Sequence, residues 1–247
     1  MSERVKRGRI VLILLIALVS CKPVFTQISL QSYGDIGVNN VSDGAYAMLA
    51  GLPEYKLNQY KARAGFLLTF SSRTENVFSG YFVTASGIVM PGKFPLEIGG
   101  FYLWNAFSDQ LRETNWGVLL GHSIEHWQFN LGSNFRTYKF SKKAIEENGF
   151  PEDADTKIRE PWNFMYAVTY FIKPNEHKWN LGATICNFDH FLIEQETNPA
   201  INIKFLYQTD PKTTLFAEAW YKQAGLFNMR VNSFGFFFRA GILWDIN

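Results

Sequence analysis

The sequence predicts an all-β protein: an antiparallel up-and-down transmembrane β-barrel of about twelve strands, with about ten as the alternative count. Three observations predict it. Segments of roughly ten residues alternate between an apolar face and a mixed face, as strands tilted across a bilayer do. Short connections rich in turn-forming residues alternate along the chain with longer polar ones. Aromatic residues make up 17% of the 247-residue chain and concentrate on one face of these segments.

Residues 1–26 have the composition of a secretory signal peptide. A mostly basic stretch, 3–9, precedes an uncharged apolar run, 10–20, which is too short to span a bilayer as a helix. Two cleavage positions remain open. The lipobox-like residues before Cys21 would make that cysteine a lipidation site, whereas the other cut leaves Gln27 as the first residue. With either cut the leader predicts export, and together with the barrel pattern it predicts a location in a bacterial outer membrane.

Removal of the leader reverses the balance of charge. The whole chain has 24 lysines and arginines against 22 acids, but five of the bases and one acid lie in the leader. The remainder therefore carries two more acids than bases, and no nucleic-acid partner is expected. The two cysteines, Cys21 and Cys186, predict neither an intramolecular disulfide nor a thiolate metal site. We expect no metal and no cofactor.

The barrel domain, residues 27–247, divides at its turns into the predicted strands. Short connections are expected on the periplasmic side and long ones outside, with 141–160 as the long outer loop. The short connections centre on Leu52-Pro53-Glu54, Pro91-Gly92-Lys93, Ile124-Glu125-His126, Pro174-Asn175-Glu176 and Thr209-Asp210-Pro211. One outer connection, Ser72-Arg73-Thr74, is also short. The predicted strands are 28–36, 42–51, 56–71, 75–89, 95–107, 113–123, 127–140, 161–173, 178–190, 199–209, 213–223 and 232–246.

The eighth predicted strand shows the alternation most clearly. Its apolar face consists of Trp162, Phe164, Tyr166, Val168, Tyr170 and Ile172. Its other face is more polar, with Met165 and Phe171 as exceptions. A secreted β-sandwich, the alternative fold, would not accept the glycine, asparagine and arginine of the less apolar faces in its core. The aromatic residues expected at the membrane interface are Trp162, Tyr170, Trp179, Tyr207 and Trp244.

The less apolar strand faces supply the side chains expected to line a lumen. The candidates are Lys61, Arg63, Gln128, Asn130, Asn134, Arg136, Lys204, Glu218 and Arg239. Five of these are bases, and Glu97 and Glu218 are the acids expected inside, which predicts a lumen with net positive charge. Two interpretations stay open. Basic side chains select anions in a pore, or the charges pair and fill a narrow barrel.

No catalytic residues are predicted. His122 and Ser123 are adjacent in a strand, so their side chains point to opposite faces and cannot share a proton. His126 lies across a turn and is interpreted as an interfacial residue. The acidic residues of loop 141–160 are interleaved with bases, which favours a solvated loop over a calcium site.

These features together resemble a known class of proteins. The leader, Gln27, the repeated aromatic-x-aromatic hairpins and the final Phe-Gly-Phe-Phe-Phe-Arg-Ala-Gly-Ile-Leu-Trp resemble small outer-membrane β-barrel proteins of Gram-negative bacteria, most like those of Bacteroidota. The resemblance covers the chain after the leader and is one of architecture. It implies contact with outer-membrane lipid and insertion by the barrel-assembly machinery.

The function expected from the sequence is a narrow porin-like channel or transporter for small polar solutes, including anionic ones. The alternative is a non-conducting structural or accessory barrel whose outer loops, chiefly 141–160, bind a partner protein or a glycan. A lipid-modifying barrel enzyme ranks third, and enzymatic activity is not expected.

Overall fold

The computed structural model describes residues 26–39, 45–70, 77–92, 94–106, 111–147, 149, 157–173, 178–189, 195–222 and 234–246. Over these residues the chain forms twelve antiparallel strands in one closed barrel. Each strand pairs with the next in sequence, and the first pairs with the last. The predicted up-and-down barrel of about twelve strands is therefore confirmed, and the count of ten is wrong.

The strands differ in length, but most exceed the predicted ten residues. They are β1 (Thr26–Asn39), β2 (Ala45–Leu57), β3 (Tyr60–Phe70), β4 (Phe78–Met90), β5 (Leu96–Ala106), β6 (Leu111–Ile124), β7 (Trp127–Phe140), β8 (Lys157–Phe171), β9 (Trp179–Phe188), β10 (Gln195–Asp210), β11 (Thr213–Lys222) and β12 (Phe234–Asp245). A short helix, α1 (Lys142–Glu147), follows β7. In the described ranges, no helix is both long enough and apolar enough to cross a membrane.

Closure of the barrel depends on β1, which contains Gly34 and Gly37. Gly34 lies within the strand and pairs with Leu49 of β2 on one side and Ala240 of β12 on the other. Ladders on both sides satisfy the backbone N–H and C=O groups, which lipid cannot do. The strand therefore forms in spite of the low strand propensity of glycine.

The first short turn, between β2 and β3, lies further along the chain than the predicted Leu52-Pro53-Glu54. β2 continues through Pro53, and the turn lies at Asn58 and Gln59, where Asn58 has a φ of 53°. Asparagine tolerates this left-handed conformation. Pro53 pairs with β1, whereas the β2–β3 ladder has no pairs at Leu52 and Pro53. Since proline has no N–H to donate, it interrupts one ladder without ending the strand.

The outer loop predicted over 141–160 is shorter, because β8 begins at Lys157 and pairs with β7. Residue 148 and residues 150–156 lie outside the described residues. The β7–β8 register shifts opposite Pro161 and Trp162, and Trp162 has a φ of 54°, which marks a bulge. The bulge changes the outward face of β8 from odd-numbered to even-numbered residues.

Beyond the bulge, β8 alternates as predicted. Phe164 and Tyr170 are exposed, whereas Met165, Ala167 and Thr169 are buried. The predicted turns at 91–93 and 124–126 are also present, and the residues that bend there, Gly92 and Glu125, have positive φ values. The turns predicted around 72–74 and 174–176, the leader before residue 26 and the candidate lipidation site Cys21 lie outside the described residues.

Candidate functional site in the barrel lumen

All nine predicted lumen residues lie on inward faces of their strands. Four of them, Asn134, Arg136, Glu218 and Arg239, are buried. Lys204 forms an ion pair with Glu218 inside the barrel. The other four, Lys61, Arg63, Gln128 and Asn130, line a cavity near the end of the barrel that carries the short turns.

Arg239 of β12 is the centre of the lumen site, and its side chain is 0% exposed. Its Nε and Nη2 donate to the two carboxylate oxygens of Asp35 in β1, at 2.7 and 2.8 Å. Its Nη1 and Nη2 donate to Asp189, which follows β9, at 3.0 and 2.6 Å. The guanidinium thus links β12 to its neighbour β1 and to the end of β9, three strands away. Bidentate arginine–carboxylate pairs are strong and directional.

Glu218 of β11 lies directly opposite Arg239 in the ladder and extends this network to Lys204 of β10. One carboxylate oxygen lies 3.6 Å from Nη1 of Arg239, and the other lies 2.9 Å from the Lys204 ammonium of β10. The Trp220 indole N–H donates to Glu218 at 2.8 Å. The Arg239 guanidinium also lies 4.3 Å from the centroid of the Tyr33 ring. We call Tyr33, Asp35, Asp189, Lys204, Glu218, Trp220 and Arg239 the plug network.

A second buried pair lies towards the end with the long connections. Arg136 of β7 and Glu113 of β6 are 2.7 Å apart, and their side chains are 3% and 2% exposed. Nη1 of Arg136 also donates to the Tyr138 hydroxyl at 2.8 Å. One step further inside, the Asn134 amide donates to Asn115 at 2.7 Å. Contacts between neighbouring strands thus link the polar side chains at this level, while Oδ1 of Asn134 has no hydrogen-bond partner among the described residues.

Apolar side chains fill the lumen between these polar groups. They form two packed clusters, one on each side of the barrel. The buried members are Tyr33, Ala50, Leu52, Leu67, Phe82, Phe101, Leu103, Met165, Ala167, Cys186, Phe188, Ala200, Phe216, Trp220 and Phe237. A small barrel can be filled by its own side chains in this way. Large aromatic residues on the inner faces, such as Phe82 and Trp220, were not among the predicted lumen residues.

A polar cavity of about 120 Å³ remains at the short-turn end. Arg63 donates to Glu54 at 2.9 and 2.6 Å, and Lys61 lies 2.8 Å from Glu97. These pairs, together with the Gln128 and Asn130 amides, line the cavity. We call it the vestibule. It has room for a few water molecules and ends at the apolar filling.

The predicted excess of positive charge is wrong for the described lumen. Each of the five predicted bases has a carboxylate within ion-pair distance. Four interior acids were missed: Asp35, Glu54, Glu113 and Asp189. With Glu97 and Glu218 they make six acids, which equal the five predicted bases together with Lys56, whose ammonium lies 3.4 Å from Glu54. Asp35 follows Gln31 and Tyr33 at every second position of β1, so side-chain alternation could have placed it inside. Asp189 lies just after the end of β9, where alternation gives no such indication.

The predicted interface aromatics are all exposed on the outer surface of the barrel. Tyr170, Trp179, Tyr207 and Trp244 lie near the short-turn end, where Tyr170 packs against Trp127 with ring centroids 4.9 Å apart. Trp162 lies at the other end. An aromatic group at that end was missed in the sequence, and its members include Phe78, Tyr81, Trp104, Trp116 and Phe135. Two aromatic girdles around an apolar band are typical of transmembrane barrels.

The two described histidines contact backbone. Nδ1 of His122 lies 2.9 Å from the Pro95 carbonyl oxygen, and Nδ1 of His126 lies 2.7 Å from that of Phe171. His122 lies on the outward face of β6 and Ser123 on the inward face. Within the described ranges, no group of three or more His, Cys, Asp and Glu side chains is placed to hold a metal ion.

Comparisons with known proteins find similarity of structure only. No family model and no curated protein matches the sequence. The structure is similar to the KdgM porin, at 12% identity over 90% of this chain and 100% of that one, with a TM-score of 0.48. An outer membrane channel of Pseudomonas putida F1 has 11% identity, coverage of 91% and 97%, and a TM-score of 0.47. Outer membrane phospholipase A from Escherichia coli has 8% identity, coverage of 89% and 96%, and a TM-score of 0.43. These structural neighbours are outer-membrane β-barrels, and the likeness extends to the fold alone.

Proposed function

We propose that this protein is a closed outer-membrane barrel, whose lumen is plugged by its own side chains and whose activity is carried by its outer surfaces. The plug network is the observation that supports this most strongly. The Arg239 side chain has no exposure and is held by two carboxylates on different strands, so no water-filled path touches it. The apolar clusters fill the space beside it.

Opening the lumen would be costly. Arg239 would have to leave Asp35 and Asp189, and separating a buried ion pair costs about 3–5 kcal/mol when a charge remains uncompensated. The aromatic filling, including Phe82 and Trp220, would have to move as well. A barrel of this kind suits the accessory role better than a steady passage for small polar or anionic solutes.

Solute flux into liposomes tests the closed state. Refolded protein in liposomes should admit glycerol-sized and monosaccharide-sized solutes no faster than protein-free liposomes do. An open porin in the same liposomes serves as the positive control. Swelling at a rate proportional to the amount of folded protein would contradict the proposal and restore the channel interpretation.

A gated channel is the second candidate, and the vestibule favours it. A polar cavity that opens at one end and stops at the plug network has the form of an entrance. The variant Asp35→Asn with Asp189→Asn keeps the shape of the plug but weakens its hold on Arg239. A gated channel predicts that this variant admits solutes while still folded, whereas a permanent plug predicts that it remains closed.

The accessory role places the outer connections in contact with a partner protein or a glycan. The connection after β7, with α1 and its exposed Glu146, is the chief candidate. Photocrosslinking from position 146 in intact cells should capture a defined partner, with position 91 in a short turn as the control. Loss of capture when residues 148–156 are replaced by a glycine-serine linker would support the role. Equal capture from both positions would contradict it.

The remaining expectations stand as proposals. We propose that the chain is exported through a leader that is then cleaved, and that the barrel-assembly machinery inserts it. The resemblance to barrels of Bacteroidota stays a prediction. We also expect no lipid-hydrolysing activity, because His122 and Ser123 lie on opposite faces. Release of fatty acid from phospholipid by the refolded protein, lost in Ser123→Ala, would contradict that expectation.

A further inference from the structure

Four basic residues lie together at the long-connection end of β6, β7 and β8. Arg112 pairs directly with Lys139, and Lys139 pairs directly with Lys157 across the next ladder. Arg159 lies two residues further along β8, opposite Thr137. All four are exposed. We call these four residues the rim cations.

The rim cations lie on the outer surface of the barrel and not in its lumen. On β6 the outward residues are even-numbered, as the exposure of Trp116, Val118 and Leu120 shows, and Arg112 continues this series. Residues directly opposite each other in a ladder share one face, so Lys139 and Lys157 also point outward. Arg159 does so too, since it lies on the same side of the bulge as Lys157.

This arrangement of charge favours a bound anion at Arg112 and Lys139, since Lys157 and Arg159 already have interactions within the protein. Like charges directly opposite each other in a ladder destabilise a sheet, and here three bases follow one another across two ladders. Over the described residues, neither Arg112 nor Lys139 has a carboxylate in ion-pair contact. The inward neighbours Glu113 and Arg136 are bound to each other inside the barrel.

The position of the rim cations matches a lipid headgroup. Trp116 and Phe135 stack with ring centroids 5.6 Å apart, four residues from Arg112 and Lys139 respectively. Four residues of a strand span about 13 Å, or about 10 Å along the membrane normal for a tilt of about 40°. Aromatic girdles mark the edge of the hydrocarbon. The bases therefore lie at the level of the headgroups, above an apolar surface for acyl chains.

We propose that the rim cations bind the phosphate groups of a phosphorylated glycolipid of the outer leaflet. Arginine binds phosphate oxygens in bidentate fashion, and lysine adds a point charge. The acyl chains of the lipid lie on Trp116, Phe135 and the exposed Phe164 of β8. The surface requires a ligand with both phosphate and long chains. Binding of this lipid does not depend on whether the lumen conducts.

Native mass spectrometry of the refolded full chain in detergent tests this inference, with diphosphorylated lipid A as the probe. The test variant is Arg112→Gln with Lys139→Gln. The matched control is Lys178→Gln with Lys212→Gln, two exposed bases at the opposite rim. The test variant should bind about thirtyfold more weakly, as expected for two bases at a charged lipid surface, and the control should bind like the unmodified protein.

Two further probes separate the possible sources of binding. Lipid A without its phosphates should bind at least about tenfold more weakly, and inorganic phosphate should not displace the lipid, because it lacks acyl chains. Equal binding of the two lipids, complete displacement by inorganic phosphate, or equal losses in the test and control variants would each overturn the proposal. A heat-modifiable gel shift establishes that each variant is folded. If the double variant does not fold, Lys139→Gln alone should still weaken binding, and unchanged binding would overturn the proposal.

Discussion

Replacement of Arg239 by methionine tests whether the plug network holds the barrel together. Methionine is unbranched, apolar and uncharged, so Arg239→Met keeps part of the apolar packing but removes the guanidinium between the two carboxylates. The substitution leaves Asp35 and Asp189 buried without their four hydrogen bonds from arginine. Glu218 keeps its pair with Lys204 but loses a neighbouring charge at 3.6 Å.

The expected loss follows from these contacts. Removal of one partner of a buried ion pair costs about 3–5 kcal/mol, because the remaining charge is uncompensated. Here two carboxylates lose their partner, so the loss should lie at the upper end, at about 5 kcal/mol. The matched control is Arg63→Met. Its pair with Glu54 lies in the hydrated vestibule with side chains 21% and 10% exposed, and its removal should cost about 1 kcal/mol.

The free energy of unfolding should be measured by urea titration of the refolded barrel in lipid vesicles, followed by tryptophan fluorescence. Both variants should first be shown to fold on a heat-modifiable gel. A loss in Arg239→Met no larger than that in Arg63→Met would refute the reasoning, because the network would then contribute no more than a hydrated ion pair. A failure of Arg239→Met to fold, with Arg63→Met folding normally, would agree with it.

Three more predictions concern the surfaces and the wall of the barrel. Leu131→Arg puts a charge on the lipid-facing side midway between the girdles and should lower the free energy of unfolding by about 2–4 kcal/mol in the same titration. Asn130→Arg projects into the vestibule and should lower it by less than about 1 kcal/mol. In intact cells, a membrane-impermeant maleimide should label Glu146→Cys in α1 but not Pro91→Cys in a short turn, because long connections face outward. Gly117→Ala should lower the free energy of unfolding by about 1–3 kcal/mol, because its methyl group would meet backbone of the facing strand.

Each of these has an outcome that would count against the structure. Equal losses at positions 130 and 131 would indicate a sheet buried on both sides. Labelling at position 91 with none at position 146 would invert the topology. The control for the glycine is Gly100→Ala, since a methyl group there has only one neighbour, the Gly117 carbonyl oxygen at 3.6 Å. Equal effects of the two glycine substitutions would mean that the wall is not closely packed at Gly117.

Alternation of side chains was sufficient to predict the fold and most strand faces, because a lipid-facing surface enforces it along every strand. The errors arose where a local feature interrupts the pattern. Pro53 has the composition of a turn, but its missing N–H affects only one of the two ladders of β2. The bulge at Pro161 and Trp162 shifts the phase of β8, so its first residues, from Lys157, could not be assigned from the alternation that follows.

The plug network could be predicted only in part. Arg239 and Glu218 were placed inside by parity, but their partners depend on the register of neighbouring strands, since Asp35 and Glu218 lie directly opposite Arg239 on β1 and β11. Arg239 and Asp35 are 204 positions apart in sequence, and Asp189 contacts Arg239 only because β9 ends at that level. Such contacts require the registers of many strands at once. The large inward residues, such as Phe82, were missed because aromatic residues were assigned to the lipid face.

Electrical recording from single refolded barrels in a planar lipid bilayer tests the closed lumen most directly. Insertion must be established independently, for example with a fluorescent label on Glu146→Cys. The account predicts that the unmodified protein, once inserted, adds no steady current above that of the lipid alone at either polarity. A steady ohmic current that scales with the number of inserted barrels would contradict it, since such a current needs a continuous water path past Arg239 and the buried apolar clusters beside it.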